Sequence, residues 1–510
     1  MAPSDIVSRR LSADTLLLAA ILLIWGIAAF LPPLNADAAA MLRFAERMWD
    51  GEALYRDLID FNPPMGYWLD LIPAGLGRLG MGTPVFWFVV FCLLVIGGSA
   101  VWAYRIVRPS LSETERRVIA LVGVITLLVR PSDSFGEREH LMVAVMLPYG
   151  ALAVRFLRGA GGGALGWRAV AAALAFIGIA QKPHFAILGA AVELLLLAHG
   201  GPKAWMKRLE PWLFLLLGVI YLWATAALYP AYFNDMLPLA ADNYRIFDLD
   251  RGIDMITGTE LPPLLIAALC LGPWALRSGR PIAAVLYVLA VGAILAGLLQ
   301  FKDWDYHFLP ARILTILLAA YGLARVLEGV APRILAALAI AMLALGGNLS
   351  PPLRLQLDYL KSGAREVETL IRQEAGGRPV LWLTQYMDPT APVLNYTGNR
   401  LAMPFMSLWL LPALYEDDAP GPDGKLRLHP PEARSSAETY LLDRVAEAVV
   451  REKPALILAE TAQDEAAFRL RPLDYLEFFA QDPRFADALT QYRPLKRVGT
   501  LRVLKRIAAD

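Results

Sequence analysis

The stretch Pro84–Tyr104 reads PVFWFVVFCLLVIGGSAVWAY and contains no charged side chain. A run of this length and apolarity is what an α-helix needs to cross the hydrocarbon core of a bilayer. Further apolar runs lie at roughly 14–32, 118–130, 141–157, 169–181, 184–199, 211–229, 261–276, 281–299, 307–324 and 333–348. The sequence therefore predicts a polytopic α-helical membrane protein with about eleven transmembrane helices.

Composition agrees with this class and excludes others. Hydrophobic residues make up 57% of the 510 residues and charged residues only 19%, and the mean hydropathy is +0.47. A soluble domain usually carries about a quarter charged residues. The net charge of +1 argues against nucleic acid as a partner, because nucleic-acid binders show a basic excess. Cys92 and Cys270 both lie in apolar runs, so neither a disulfide framework nor a thiolate metal site is predicted.

The loops between the apolar runs alternate in their content of Lys and Arg. Basic loops hold Arg9 and Arg10; Arg105, Arg108, Arg116 and Arg117; Arg155, Arg158 and Arg168; Lys203, Lys207 and Arg208; Arg277 and Arg280; Arg325 and Arg333. The positive-inside rule makes these loops cytoplasmic. The opposite side, which in a Gram-negative bacterium is the periplasm, then receives segments 33–83, 131–140, 229–260 and 300–306 and the chain after about residue 350. The predicted location is therefore the bacterial inner (cytoplasmic) membrane.

The chain after the last apolar run is of a different kind. Short buried-strand patterns occur at 379–383 and 454–458, and amphipathic helical patterns at 355–374 and 435–451. Alternating helices and strands indicate a small α/β domain. We therefore predict two domains, a transmembrane domain over 1–349 and a soluble periplasmic α/β domain over 350–510. Segment 420–431 is rich in Pro, Gly and charge, which is typical of an exposed loop.

Residues able to do chemistry concentrate on the predicted periplasmic side. Nucleotide-sugars are not available there, and Gly161-Gly162-Gly163 lacks the Lys-Ser/Thr partner of a phosphate-binding loop. A transferase on this side would need a lipid-linked donor. Asp37 stands just past the first apolar run, where a carboxylate is costly unless it is paired or used. It is a candidate for catalysis, but it equally fits the N-cap of a predicted helix over 38–49.

Three motifs give the chain a family resemblance. They are Asp37 followed by Gly51-x-x-Leu54-Tyr55-x-Asp57 and Asn62-Pro63-Pro64-x-x-Tyr67-Trp68; Gly136-Glu137-Arg138-Glu139-His140; and Lys302-Asp303-Trp304-Asp305-Tyr306-His307-Phe308-Leu309-Pro310. The first resembles the first periplasmic loop of GT-C glycosyltransferases, in the branch of the protein O-mannosyltransferases and the lipid A aminoarabinose transferase. The other two resemble loop motifs of bacterial members of that branch.

The resemblance implies a function and a mechanism. The expected activity is inverting transfer of a sugar from a polyprenyl-phosphate donor to a periplasmic glycolipid, polysaccharide or protein, as in lipopolysaccharide or polysaccharide biosynthesis. Asp37 would be the general base. Expected donor-phosphate ligands are Arg138, Lys182, His184, Lys302, His307 and Arg312, because cations stabilise a phosphate leaving group. A second acid would be Asp57, Asp60, Glu137 or Glu139, and substrate-binding candidates are Tyr55, Asn62, Tyr67 and Tyr306.

The sequence also departs from these relatives. The mannosyltransferases carry paired Asp and Glu in the first loop, where Asp37 is followed here by Ala38. The aminoarabinose transferase has an acidic-basic pair before its proline, where Asn62 and Pro63 stand here. Neither a metal site nor that donor's recognition therefore carries over directly, and a divalent metal is the one cofactor left open. Glu139 and His140 are candidate ligands for such a metal, but two ligands do not establish a site, and a local ion-pair cluster with Arg138 is the favoured interpretation.

Rival functions remain at this point. Aromatic, acidic and amide residues in 229–260 fit sugar recognition, but they fit an interfacial helix that covers the site better. The alternatives to a transferase are a transporter or flippase for a lipid-linked glycan, a polysaccharide ligase, and a non-catalytic assembly subunit. A transporter predicts ionisable residues near the midplane and internal repeats. A ligase predicts a large basic periplasmic loop, whereas 229–260 is not basic.

Overall fold

The computed structural model describes residues 13–161, 163–247, 258, 261–302, 304–326, 352–418, 426–460 and 473–507. The predicted helix at 333–348 and the first half of the predicted loop at 420–431 lie outside these residues. The helices up to residue 326 are α1 Ala13–Ala28, α2 Ala36–Trp49, α3 Pro64–Arg78, α4 Pro84–Val107, α5 Glu113–Val124, α6 Arg138–Leu157, α7 Leu165–Ile179, α8 Ala186–Met206, α9 Glu210–Leu228, α10 Leu237–Asn243, α11 Leu261–Arg277, α12 Pro281–Leu298 and α13 Leu309–Val326.

Within the described ranges, six helical segments are long and apolar enough to cross a membrane. They are Pro84–Ser110, Arg138–Leu157, Pro183–Met206, Glu210–Leu228, Pro281–Leu298 and Asp305–Val326. Shorter apolar helices cover Leu18–Ala28, Leu165–Ile179 and Leu261–Arg277. Large apolar side chains are exposed along α9, among them Leu216, Val219 and Trp223. The chain is a multi-pass membrane protein, and the count of eleven spans stays a prediction.

Local sequence signals explain where these helices begin. Ser112 and Glu115 form a reciprocal capping box at the start of α5. Thr83 accepts a hydrogen bond from the Phe86 N–H at the start of α4, where Pro84 occupies the first helical position. Helix α5 continues as a π-helical turn over Ile125–Val129. The predicted segment 118–130 therefore lies on one continuous helical stretch.

Helix α6 is the central helix of the membrane portion. Nearly all of its side chains are buried, and it packs against α4, α7, α8, α12 and α13. Its first three residues are Arg138, Glu139 and His140. The charged start of α6 is therefore surrounded by the ends of neighbouring helices, and this position decides where the cavity described below can form.

The segment between α7 and α8 breaks the helix. Lys182 has an extended backbone (φ −147°, ψ 134°), and Pro183–Phe185 form one 3₁₀ turn before α8 begins. Proline cannot continue an α-helix and restricts the residue that precedes it to extended conformations. The predicted runs 169–181 and 184–199 are thus two separate helices. The break places the Lys182 side chain at the end of the helix bundle, where it is buried.

The C-terminal part has the predicted α/β character. Its helices are α14 Pro352–Lys361, α15 Gly363–Glu374, α16 Thr390–Thr397, α17 Leu411–Leu414, α18 Ser436–Glu452, α19 Tyr475–Phe479 and α20 Pro483–Leu489. Its strands are β1 Val380–Leu383, β2 Leu456–Glu460, β3 Tyr492–Val498 and β4 Leu501–Arg506. They form a sheet of order β1-β2-β4-β3, in which β1 and β2 are parallel and the other pairs antiparallel. The predicted helix 355–374 is two helices, and the β3–β4 hairpin was not predicted.

The C-terminal part docks on the first long loop through backbone-directed hydrogen bonds. The Arg47 guanidinium donates to the Met403 carbonyl at 2.7 Å, and Arg43 donates to the Asn399 carbonyl at 2.7 Å. The Ile59 N–H donates to the Pro404 carbonyl at 2.8 Å. Such bonds to fixed carbonyls set the position of the segment around residues 399–404 against α2.

Candidate active site

A cavity of about 460 Å³ lies where the start of α6, the first loop and the C-terminal part meet. Its polar lining comprises Asp37, Asp60, Asn62, Arg138, Lys182, His184, Tyr232, Tyr244, Arg245, Gln300, Lys302, Trp304, Tyr306, His307, Ser407 and Trp409. Its apolar lining includes Met41, Phe61, Leu237, Leu299, Phe301, Met387 and Met406. A concave site with a few convergent polar groups is typical of a ligand site.

Asp37 lies in the first turn of α2, but it does not cap the helix. Asn35 is the N-cap, and its side-chain oxygen accepts the Asp37 N–H at 2.8 Å. Helix α2 therefore begins at Ala36 and not at Ala38, and the capping interpretation of Asp37 is wrong. Since Asn35 satisfies the helix N-terminus, the Asp37 carboxylate is available to the cavity and to Arg138, whose Nη2 lies 3.4 Å from its Oδ2.

The backbone turn at Gly136 positions the Arg138 side chain in the cavity wall. The Gly136 φ of +83° lies in the left-handed region, and a Cβ there would come within 2.7 Å of the Phe88 ring. Glycine is thus the residue that lets the chain turn directly into α6. Arg138, 8% exposed, then reaches both Asp37 and the Asn62 side-chain oxygen. One guanidinium joins the first loop to the central helix.

Glu139 pairs with Lys182 and not with Arg138. The Lys182 ammonium donates to Glu139 Oε1 at 2.5 Å, and the carboxylate is fully buried. The predicted local cluster is therefore wrong in its partners, because the helix break at Lys182 brings a cation from outside the motif. A buried charge needs such a partner, since desolvation without one is very costly.

His140 is engaged by the backbone and does not face the cavity. Its Nδ1 accepts the Gly136 N–H at 3.2 Å, which leaves Nε2 protonated to donate to the Leu127 carbonyl at 2.8 Å. With both nitrogens used, His140 cannot join Glu139 on a metal ion. Within the described residues, no group of three or more His, Cys, Asp or Glu side chains could hold a metal.

Asp60 is held in a dense hydrogen-bond network at the cavity wall. It accepts the Tyr67 hydroxyl at 2.5 Å and the Asn62 N–H and side-chain amide at 2.9 and 2.8 Å. The Tyr55 hydroxyl donates to the Asn62 carbonyl at 2.5 Å. Tyr55 and Tyr67 are buried behind this wall. Both therefore orient Asn62 and Asp60, and neither side chain lines the cavity.

A second group of predicted residues lies in segment 300–308 and lines the same cavity. The Lys302 ammonium lies 4.5 Å from the Tyr244 ring centre, and Lys182 lies 5.2 Å from that of Tyr306, both distances of cation–π contact. His307 contacts the Lys302 carbonyl at 3.3 Å. Lys302, Tyr306 and His307 all line the cavity together with His184. Two helix ends and one loop thus converge on the same space.

Besides Tyr55 and Tyr67, four of the predicted residues do not line the cavity. Arg312 donates to the Asp305 carbonyl at 2.7 Å, and Asp57 accepts the Ala53 N–H at 2.8 Å within its own turn. Glu137 and Glu139 are buried behind the wall.

Burial raises the pKa of Glu137, and the nearby Asp37 raises it further. Burial lowers the pKa of Lys182, although Glu139 opposes this.

The C-terminal part supplies a wall that the sequence did not predict. Met387, Met406, Ser407 and Trp409 line the cavity, more than three hundred residues after Asp37. Trp409 packs against Phe61 of the first loop, with ring centres 5.1 Å apart. The only local signal is the apolar-aromatic run 403–411 between two helices, and such a run is equally typical of a buried core segment.

The lining carries an excess of positive charge. Among the described residues, Arg138, Lys182, Lys302 and Arg245 face the carboxylates Asp37 and Asp60. Several buried polar atoms beside the cavity have no hydrogen-bond partner within the described part of the protein: Arg138 Nε, Glu137 Oε1, Glu139 Oε2 and His184 Nε2. Buried polar groups are normally satisfied. This arrangement favours an anionic ligand beside a carboxylate able to accept a proton.

Comparison with known proteins identifies the fold. No protein-family model matches the chain, and no curated protein matches it in sequence. The crystal structure of ArnT from Cupriavidus metallidurans bound to undecaprenyl phosphate is similar with a TM-score of 0.54 and 14% identity, over 96% of this chain and 97% of that one. The apo structure of the same protein gives a TM-score of 0.56 and 12% identity, with the same coverage.

A weaker likeness is to the apo oligosaccharyltransferase of Archaeoglobus fulgidus, with a TM-score of 0.45 and 10% identity over 87% of this chain and 69% of that one. A TM-score below 0.5 does not show a shared fold. The similarity to ArnT spans both the membrane portion and the C-terminal part. The chain therefore has the GT-C fold, as its motifs indicated.

Proposed function

We propose that this GT-C chain is an inverting membrane glycosyltransferase, which moves a sugar from a polyprenyl-phosphate donor to a periplasmic hydroxyl acceptor. One observation carries the proposal: a carboxylate, Asp37, shares a cavity at the end of the membrane helices with Arg138, Lys182 and Lys302. The fold adds support, because a protein with the same fold, ArnT, has been crystallised with undecaprenyl phosphate.

In the proposed reaction the Asp37 carboxylate removes the proton of the acceptor hydroxyl. The acceptor oxygen then forms a bond to the anomeric carbon on the face opposite the phosphate. The bond between that carbon and the phosphate oxygen breaks, and the electron pair leaves with the phosphate. The products are the glycosylated acceptor, a protonated Asp37 and polyprenyl phosphate with one additional negative charge.

That additional charge is what the cations stabilise. Arg138, Lys182 and Lys302 are each less than a tenth exposed, and charge interactions strengthen where water is excluded. Arg138 also contacts Asp37, so it can hold the base and the leaving phosphate in one geometry. His184 and His307 line the same cavity. His184 Nε2 has no partner in the described residues and would donate a hydrogen bond to a phosphate oxygen, whereas His307 Nδ1 donates to the Lys302 carbonyl.

The decisive experiment is Asp37→Asn, measured against Asp57→Asn as a matched control. Both changes remove one carboxylate from the first loop, but Asp57 lies outside the cavity. We expect sugar transfer by Asp37→Asn to fall by about a hundredfold or more, the usual scale of general-base loss. Binding of undecaprenyl phosphate in nanodiscs should be retained. Wild-type-like transfer by Asp37→Asn would contradict the role of Asp37 and leave Asp60 as the carboxylate in the cavity.

The same preparation separates the rival functions. A flippase would move undecaprenyl phosphate across a liposome membrane without making a covalent product. A ligase would add a whole polymer to the acceptor, so the mass gain would be that of a polysaccharide. An assembly subunit would tolerate Asp37→Asn without loss. The proposed transferase adds one sugar, and mass spectrometry of the product distinguishes these outcomes.

A further inference from the structure

Three aromatic side chains from distant parts of the chain meet at one wall of the cavity. Phe61 and Tyr244 have ring centres 4.3 Å apart, and Trp409 lies 5.1 Å from Phe61 and 5.9 Å from Tyr244. All three line the cavity, and Phe61 and Tyr244 are half-buried. The first loop, the segment after α10 and the C-terminal part each supply one ring of this aromatic wall.

Two polar groups of the aromatic wall have no partner in the described part of the protein. The Trp409 side chain is 7% exposed, and its indole N–H is buried without an acceptor. The neighbouring Ser407, 5% exposed, also lines the cavity, and its hydroxyl makes no hydrogen bond to a described residue. An unsatisfied buried donor is unfavourable, so its place in a cavity wall points to a ligand that brings an acceptor.

We infer that the aromatic wall with Trp409 and Ser407 is the acceptor subsite, and that the acceptor is the ring of a carbohydrate. The inference rests on the proposed function and specifies its acceptor. A pyranose presents an apolar face of C–H groups and a rim of hydroxyls. The face fits against exposed aromatic rings, and the rim offers acceptors and donors to the Trp409 N–H and the Ser407 hydroxyl.

The chemistry of this wall separates it from the donor end of the cavity. The donor end holds Arg138 and Lys182, whereas the rings of the aromatic wall are neutral, with Met387 and Met406 in the same lining. Lys302 lies between the two, with its ammonium 4.5 Å from the Tyr244 ring centre. Methionine adapts its shape to irregular ligands. A Ser or Thr side chain of a protein acceptor has no ring face to place against the aromatics. The wall therefore favours a glycan or glycolipid over a polypeptide.

The test uses cells that lack their own copy of the gene and express the wild-type chain or a variant. Envelope glycolipids, polysaccharides and proteins are separated, and each fraction is analysed by mass spectrometry for a sugar whose presence depends on the chain. The variants are Trp409→Phe, which keeps a ring and removes the N–H, Ser407→Ala, and Asp37→Asn. Trp223→Phe makes the same change at an exposed position of α9 and is the control.

We expect the chain-dependent sugar on a carbohydrate ring. Trp409→Phe should raise the apparent KM for that acceptor by about threefold to tenfold, the scale of one hydrogen bond to a neutral partner, with little change in kcat. Undecaprenyl phosphate affinity should be unchanged, and Trp223→Phe should match the wild type. Attachment of the sugar to a protein side chain would overturn the inference, as would a wild-type KM in Trp409→Phe.

These failures differ from failure of the proposed function. If Asp37→Asn abolishes a chain-dependent product while Trp409→Phe and Ser407→Ala do not change it, the transferase stands and the acceptor subsite is elsewhere. If no envelope fraction contains a product that depends on the wild-type chain, the proposed function fails and the acceptor subsite fails with it.

Discussion

Two clusters of buried charge lie near helix α8, and they differ in how completely their carboxylate oxygens are satisfied. The cavity cluster comprises Asp37, Arg138, Glu139 and Lys182 and lies before the helix begins. The α8 cluster comprises Arg168 of α7, Glu193 of α8, and Arg208 and Glu210 at the start of α9. Both contain buried carboxylates paired with cations. Burial and pairing therefore do not distinguish a functional site from a structural one.

The carboxylates of the α8 cluster are saturated. Glu193 accepts hydrogen bonds from Tyr149, from Trp205 at 2.7 Å and from Arg208 at 2.7 and 3.1 Å. Glu210 is fully buried and accepts two bonds from Arg168, at 2.8 and 3.0 Å. The chain turns back at Gly201, whose φ is +74°, and this turn brings Trp205 and Arg208 to Glu193. The α8 cluster joins helices α6 to α9.

The cavity cluster is left incomplete. Glu139 Oε2 has no partner in the described residues, whereas an unpartnered arginine Nε occurs in both clusters, at Arg138 and at Arg208. The cavity cluster adjoins a cavity of about 460 Å³. Incomplete satisfaction next to open space is what a site for an anionic ligand requires, because ligand atoms can supply the missing partners. Saturation of the carboxylate oxygens, and not burial, separates the two clusters.

The largest effect on stability is expected from removing a carboxylate of the α8 cluster. Glu210→Ala leaves the partly buried Arg168 without its carboxylate, which should lower the free energy of unfolding by about 3–5 kcal/mol. Thermal unfolding in detergent measures the change, with Glu113→Ala as control because Glu113 is mostly exposed in its pair with Arg117. Undecaprenyl phosphate affinity of the folded fraction should not change. A loss of affinity with unaltered stability would contradict this expectation, because the α8 cluster would then act in ligand binding and not in stability.

A smaller effect on stability, but a selective one on binding, is expected in the cavity cluster. Lys182→Met should weaken undecaprenyl phosphate binding by about ten- to a hundredfold, the scale of one charge-assisted hydrogen bond. It should also destabilise the protein, because Glu139 is left buried and unpaired. Adding Glu139→Gln removes that unpaired charge. The double variant should regain stability but not affinity, and recovery of both would make this pair purely structural.

The smallest effect concerns a saturated cluster in the C-terminal part. His429 lies 2.7 Å from both Glu438 and Asp418 and stacks on Tyr415. Partial burial opposes its protonation, but hydrogen bonds and charge from Glu438 and Asp418 prevail and raise its pKa above 6.5. A raised folded-state pKa stabilises the protein below the unfolded pKa, and this contribution is lost as the pH rises through the folded value.

Wild-type protein should therefore lose about 1 kcal/mol of stability between pH 6 and pH 8 through His429. His429→Gln should remove this part of the pH dependence. Thermal unfolding of the full chain at several pH values measures it, and undecaprenyl phosphate affinity is the control that should stay unchanged. Equal pH dependence in wild type and variant would assign the titration to other groups.

Much of the candidate site could be predicted because its residues follow local rules. Asp37, Arg138, Lys182 and Lys302 are polar groups at the ends of apolar runs, and charge bias of the loops assigned them to one side of the membrane. The pairing of these residues could not be predicted. Lys182 reaches Glu139 only because helices α7 and α8 break beside α6, and Asn35 rather than Asp37 caps α2 because the helix begins two residues earlier than its pattern suggested.

The sequence by itself determined the membrane class, the GT-C motifs and the α/β character of the C-terminal part. These are properties of contiguous segments, since a bilayer selects apolar runs and short-range periodicity selects helices and strands. Only the tertiary structure decided which charges are saturated and which adjoin a cavity, and that Ser407 and Trp409 complete its wall. Those facts depend on contacts between residues hundreds of positions apart, which are set by helix packing and by the docking of the C-terminal part on the first loop.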